Sequence, residues 1–170
     1  MYIVGLDLST VSTGLVIVKR YKTRDRVHKA YTFTAKGKDV HARIYSISCE
    51  VRKILSRIKG NVDMVIIEAV YNIRWNTQSL LEIRGGIINI LKELGLKFEI
   101  IAASKARYIT YAIPKAPKGK PWARMEKKQF VKDLVEAEYH TKFKNDDESD
   151  AALLCLAWIK KEEGTGNGQK

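Results

Sequence analysis

Apolar positions along the chain fall into two spacings, and these predict the elements. Tyr2 to Leu8 is a short apolar run and Gly14 to Arg20 a second, with a Ser/Thr-rich turn between them. Val27 to Phe33 alternates as a half-buried strand does, so the chain opens on a predicted antiparallel meander. From Val40 to Ile58 the period changes. Ile44, Ile47, Val51, Ile54, Leu55 and Ile58 keep the spacings of a helix with one buried face, and Gly60-Asn61 ends it. Asp63 to Val70 is an almost continuous apolar run interrupted by Glu68, the pattern of a strand covered on both faces. A helix from Gln78 to Glu93 follows, stopped by Gly95, then a strand from Phe98 to Ala102 and a short helix from Ser104 to Tyr111. Helices from Arg124 to Glu138 and from Ser149 to Lys161 close the pattern, with Gly164 to Lys170 expected to fray. The expected architecture is α/β: a mixed five-stranded sheet with helices on both faces, one domain over 1–163 and a flexible tail over 164–170.

A chain of 170 residues can bury one core. Its charge changes the picture more. Lys and Arg number 31 against 19 Asp and Glu, a net +12, which points to a polyanion such as nucleic acid as the partner. No apolar stretch nears the roughly 20 residues of a spanning helix and the start shows no signal peptide, so a cytoplasmic protein with no membrane partner is expected. Cys49 and Cys155 lack metal-ligand spacing and read as small buried residues in a reducing compartment.

Four acids stand where solvent exposure does not explain them. Asp7 ends the first strand, Glu68 interrupts the buried fourth one, and Asp147 and Asp150 open the last helix just before it turns apolar at Ala151. A buried carboxylate is costly without a cation, and a spacing of three puts Asp147 and Asp150 on one helix face. If the strands bearing Asp7 and Glu68 are neighbours, all four acids converge. Clustered carboxylates repel and raise one another's pKa, so such a group suits hard divalent cations: two Mg²⁺ about 4 Å apart, one activating water and one stabilising the leaving oxygen of a phosphodiester. Asp147 reads equally well as a helix N-cap, and Asp146 and Glu148 as first-turn acids in water.

The segments carrying these acids resemble the RuvC family of Holliday-junction resolvases. Gly5-Leu6-Asp7-Leu8-Ser9 with Thr13-Gly14, Ile66-Ile67-Glu68-Ala69-Val70-Tyr71, Arg84-Gly85-Gly86 and Asp147-Glu148-Ser149-Asp150-Ala151-Ala152 match the family's motifs in order, over Tyr2 to about Ile159. The resemblance implies an RNase H-like fold and makes Asp7, Glu68, Asp147 and Asp150 the ligands of two Mg²⁺ ions per site, with Mn²⁺ as a substitute. It gives Lys127 a catalytic role, with Lys128 as the one-residue alternative. Arg107 falls near a second family lysine but differs from it, and Tyr71 matches an aromatic that stacks on a base.

A Pro/Lys-rich loop over 113–121 departs from the family pattern by its length. With Arg74, Lys105, Arg107, Lys115, Lys118, Lys120 and Lys128 it offers positive charge to DNA phosphates. The implied activity is crossover-junction endonuclease: paired symmetric nicks that resolve four-way DNA junctions and leave 5′-phosphates. Two cuts need two sites, hence a homodimer, and the helix from Gln78 to Glu93, with Ile83, Ile87, Ile88, Leu91 and Gly85-Gly86, is the candidate interface. A viral protein acting in host cytoplasm fits the same expectations. Other readings are a branched-DNA or RNA:DNA nuclease of the same fold, or a non-catalytic DNA-binding protein. The segment Asp7 to Gly14 also resembles the phosphate hairpin of actin-like ATPases, which place nucleotide between two such domains.

Overall fold

The computed structural model describes residues 1–22, 24–69, 77–111 and 124–166. Five strands, β1 (Tyr2–Asp7), β2 (Ser12–Lys19), β3 (Arg26–Thr34), β4 (Val62–Glu68) and β5 (Phe98–Ile101), form one mixed sheet in the order β3-β2-β1-β4-β5. β1 and β2 pair antiparallel, with Asp7 opposite Gly14, and β1 and β4 pair parallel, with Leu6 opposite Ile67. The meander and the adjacency of the two acid-bearing strands are therefore as expected. α1 (Val40–Ile58) and α2 (Thr77–Glu93) supply the helices of one face; α3 (Ala103–Tyr111), α4 (Arg124–Tyr139) and α5 (Asp146–Gly166) pack together on the other.

The two-residue period of the strands divides the core between these layers. Val4, Leu6, Leu15, Ile17, Val65 and Ile67 face α1 and α2, whereas Ile3, Val16, Val18 and Ile66 face α5. β1, β2 and β4 are buried on both sides because they occupy the middle of the sheet. α5 is hydrophobic nearly all round, from Ala151 to Ile159, because it lies between the sheet and the α3–α4 pair. It continues to Gly166, three residues into the stretch read as a tail.

Two expectations about α1 and α2 change. Cys49 is exposed: it lies two residues, or about 200° of helical rotation, beyond buried Ile47 and so on the outer side of α1. In α2, Ile83, Ile87 and Leu91 are sealed in the protein's own core, with Ile88 packed against it, so they are not free for a partner. The outward stripe is instead Leu81, exposed, and Gly85, with open space beside it. Among the described residues, no helix is long and apolar enough to cross a membrane.

Candidate active site

The alternation that builds the core also aims the acids. Ile3, Gly5 and Asp7 project from β1 toward α5, as do Ile66 and Glu68 from β4, so Asp7 and Glu68 end side by side one residue past the Leu6–Ile67 pairing. Ligands of open α/β sheets gather outside the carboxyl ends of strands, and the acids stand at this edge. Their side chains are within hydrogen-bonding reach of each other.

Two glycines let α5 deliver the other pair. A Cβ on Gly14 would lie 2.0 Å from the Asp147 carbonyl oxygen, and one on Gly5 the same distance from that of Ala151. The backbone of α5 therefore rests directly on β1 and β2. Ser12 of β2 donates a short hydrogen bond to Asp147 Oδ2. Asp147 is not the N-cap. Asn145 takes that place, its Oδ1 accepting from the Glu148 N–H at 3.1 Å.

Glu68, Asp147 and Asp150 all lie close enough to act on Asp7. Burial pushes the Asp7 carboxyl well above the ordinary carboxylate range, and hydrogen bonding and repulsion from Glu68, then repulsion from Asp150 and Asp147, push it the same way. Burial also raises Asp150, to about 6; Lys128 and Arg107 pull it back, while Glu68 and Asp146 add to the rise. Lys128 Nζ lies 3.2 Å from Asp146 Oδ2. Arg107 is partly buried, its Nε enclosed without an acceptor. Both cations thus belong to the rim of the acidic cluster, and Lys105 is exposed on the same helix as Arg107.

The donor set suits hard divalent cations. It offers carboxylate oxygens only, and the Asp7 carboxyl is desolvated and repelled by three acidic neighbours. As the side chains stand, no three His, Cys, Asp or Glu groups among the described residues are set to share one ion. Asp7 and Glu68 instead face each other within hydrogen-bonding reach, a repulsion that a cation between them would relieve.

The structure also shows supporting residues that the sequence reading passed over. Glu148 is buried, not solvated: it accepts from Thr32 Oγ1 at 3.2 Å and from the Lys144 N–H at 2.9 Å, tying the start of α5 to β3. The Asn145-x-x-Glu148 spacing, close to a capping box, was its signal. Thr13, also buried, closes the β1–β2 turn, accepting from the Ser9 N–H at 3.2 Å and donating to the Ser9 carbonyl at 3.0 Å. Tyr71, Arg74, Lys115, Lys118 and Lys120 lie outside the described residues; Lys127 belongs to α4 by its backbone, and its side chain is likewise outside them.

The raised acids make stability depend on pH with a definite sign. Asp150 goes from an ordinary 3.8 when unfolded to about 6 when folded, so folding takes up a proton between these values, and its contribution to stability falls as pH rises from about 4 to about 6. A divalent ion would compete with that proton. Such an ion, if bound at roughly 100 times its dissociation constant, would add about 2.7 kcal/mol. Thermal melts with Mg²⁺ against chelator are therefore expected to separate by several degrees near pH 7.5 and much less near pH 5. Equal separations at both would contradict an ion held by these carboxylates.

No family model matches the sequence, and no curated protein matches it. Solved structures do. RuvC of Thermus thermophilus superposes with a TM-score of 0.76 at 16% identity, covering 97% of each chain, and the same protein in complex with a Holliday junction gives 0.77 at 15%, covering 96% of each. The fowlpox virus resolvase with its Holliday junction gives 0.56 at 14%, covering 95% of this chain and 99% of that one. The fold is that of RuvC, the RNase H-like fold expected from the motifs.

Proposed function

We propose that the chain is a metal-dependent endonuclease that resolves four-way DNA junctions by paired nicks as a homodimer. The observation that carries this is the meeting of Asp7, Glu68, Asp147 and Asp150, from two strands and a helix, at the carboxyl edge of a sheet with the RuvC topology. The second Thermus structure and the fowlpox structure described above contain Holliday junctions, and the +12 charge suits the same kind of ligand.

In this reading the four acids hold two Mg²⁺ ions, for which Mn²⁺ substitutes. Held there, such ions would supply the activation of a water and the neutralisation of a leaving oxygen, chemistry that would leave a 5′-phosphate and a 3′-hydroxyl. The chain's own groups prepare the ground. Glu68 and the α5 acids keep Asp7 from sitting stably charged without a cation. The Ser12 hydroxyl holds Asp147 in one orientation. Lys128 and Arg107, whose charges reach Asp150, would oppose negative charge at the phosphate as it reacts. Lys128 thus joins Lys127 as a candidate for the catalytic lysine.

Two opposed cuts require two sites, and the outward Leu81–Gly85 stripe of α2 offers an apolar, close-approach surface for a second copy. A dimer mass by light scattering is expected. The test of substrate class is cleavage of matched junction, fork, duplex and RNA:DNA molecules in Mg²⁺ with mapped ends. Symmetric cuts in the junction are expected; faster cutting of RNA:DNA or of plain duplex would overturn the junction assignment.

A further inference from the structure

On the face of the sheet opposite α5, an open cleft of about 490 Å³ lies between the β1–β2 turn and the first turns of α1 and α2. Thr10 and Val11 form one wall, Arg43 another, and Gln78 and Ser79 a third. Arg43 is partly buried. Its Nε is enclosed and has no acceptor, and none of the ion pairs among the described residues includes it. One N–H of this guanidinium is thus shut away from water without an acceptor, a local desolvation cost, while the half-buried side chain keeps charge at the cleft for an oxyanion to pair with.

The surroundings keep Arg43 available. The carboxylate in the cleft, Glu82, accepts from Gln78 Nε2 at 3.1 Å, lies 3.7 Å from His41 Nδ1 and forms no ion pair with Arg43. Gly37 lies against the first turn of α1, where a Cβ would come within 2.9 Å of the Arg43 nitrogen, and the Arg43 N–H donates to the Asp39 carbonyl at 3.2 Å. The backbone carrying this arginine is therefore fixed.

The cleft also adjoins the acids. Thr10 follows Asp7 by three residues, so their Cα atoms lie at most about 11 Å apart, roughly the rise of three base steps along a duplex axis. The turn that begins with Ser9 and is closed by Thr13 separates the two, with Ser12 bonded to Asp147 on the α5 side and Val11 on the cleft side.

We infer that this cleft is a phosphate-binding subsite in which Arg43 grips the DNA backbone a few nucleotides from the scissile bond, so that the strand crosses the sheet edge from the α1–α2 face to the α5 face. The inference rests on the nuclease reading and extends it: the acids act on one phosphate while Arg43 sets which phosphate reaches them.

Binding to a four-way junction, measured by fluorescence anisotropy in EDTA so that cleavage does not enter, tests it. Arg43→Gln is expected to weaken binding about tenfold and to make the plot of log affinity against log salt shallower by about one, with Arg43→Lys restoring the slope. Junctions carrying a single uncharged methylphosphonate at successive positions beside the cut provide a second readout. Wild type is expected to lose affinity at one position, and Arg43→Gln to be indifferent there. A shared melting temperature for the variants would show that folding is not the cause; if Arg43→Gln unfolds, Arg43→Lys and the wild-type methylphosphonate scan still decide. Unchanged slope and unchanged methylphosphonate sensitivity in a wild-type background that binds and cuts junctions would overturn the subsite alone. Wild type that binds no branched DNA would overturn the nuclease reading, and this subsite with it.

Discussion

Asp7→Asn is expected to abolish cleavage while leaving junction binding intact and making the metal-free protein more stable. The two effects have one cause. Asp7 is a buried carboxyl whose neighbours Glu68, Asp150 and Asp147 all disfavour its charge. An amide of nearly the same shape removes that repulsion, so the melting temperature in chelator should rise. It also removes an oxygen ligand, and losing several kcal/mol of metal-derived stabilisation, about 4 kcal/mol, corresponds to about 10³-fold in rate. Functional sites commonly trade stability for activity in this way. The decisive pair of measurements is a melt in EDTA and a single-turnover nicking assay in Mg²⁺. A variant that melts lower and still nicks would show that Asp7 is a structural acid.

Gly14→Ala is expected to be the most damaging small substitution. It adds one methyl group, but that carbon would stand 2.0 Å from the Asp147 carbonyl oxygen and 2.5 Å from the carbonyl carbon, so the N-terminal end of α5 must move. Overpacking of this kind costs about 1–3 kcal/mol, and backbone against backbone belongs at the upper end. For a domain of this size about 3 kcal/mol lowers the melting temperature by roughly 10 °C. Activity should fall further than stability, because the shift moves Asp147 and Asp150 away from Asp7. Val16→Ala, on the same face of β2 but lining the core, should lower the melting temperature with little change in cleavage measured well below the melt. Equal loss of rate in both variants would mean that stability alone, not the seating of α5, explains the Gly14 effect.

The acidic constellation was legible because it follows from periods. A two-residue repeat puts Asp7 on the face of Gly5 and Ile3, and Glu68 on that of Ile66; a three-residue spacing puts Asp147 and Asp150 on one face of a helix. Chain order and the helix spacing therefore suggested the cluster on one condition, that the strands of Asp7 and Glu68 are neighbours, and in the sheet they are. What the periods could not convey was docking. Gly14 reads as an ordinary turn glycine until α5 lies on it, and Glu148 reads as a solvated first-turn acid until Thr32 of β3 comes within reach. The apolar stripe of α2 showed that one face is covered but not by what, and the protein's own sheet covers it. Arg43 carried no signal at all, since one arginine in an amphipathic helix is ordinary; its enclosed, acceptorless Nε, a feature it shares with Arg107, marks it only together with its place in the cleft.

The central claim, a carboxylate-held metal site that makes paired cuts in a four-way junction, is tested most directly on a supercoiled plasmid that extrudes a cruciform. With Mg²⁺ and the wild-type protein, the expected product is linear DNA cut on opposing strands at the cruciform base, with no product in EDTA or from Asp7→Asn. Supercoiled plasmid that stays intact with Mg²⁺, or linear product that forms equally well in EDTA, would contradict it.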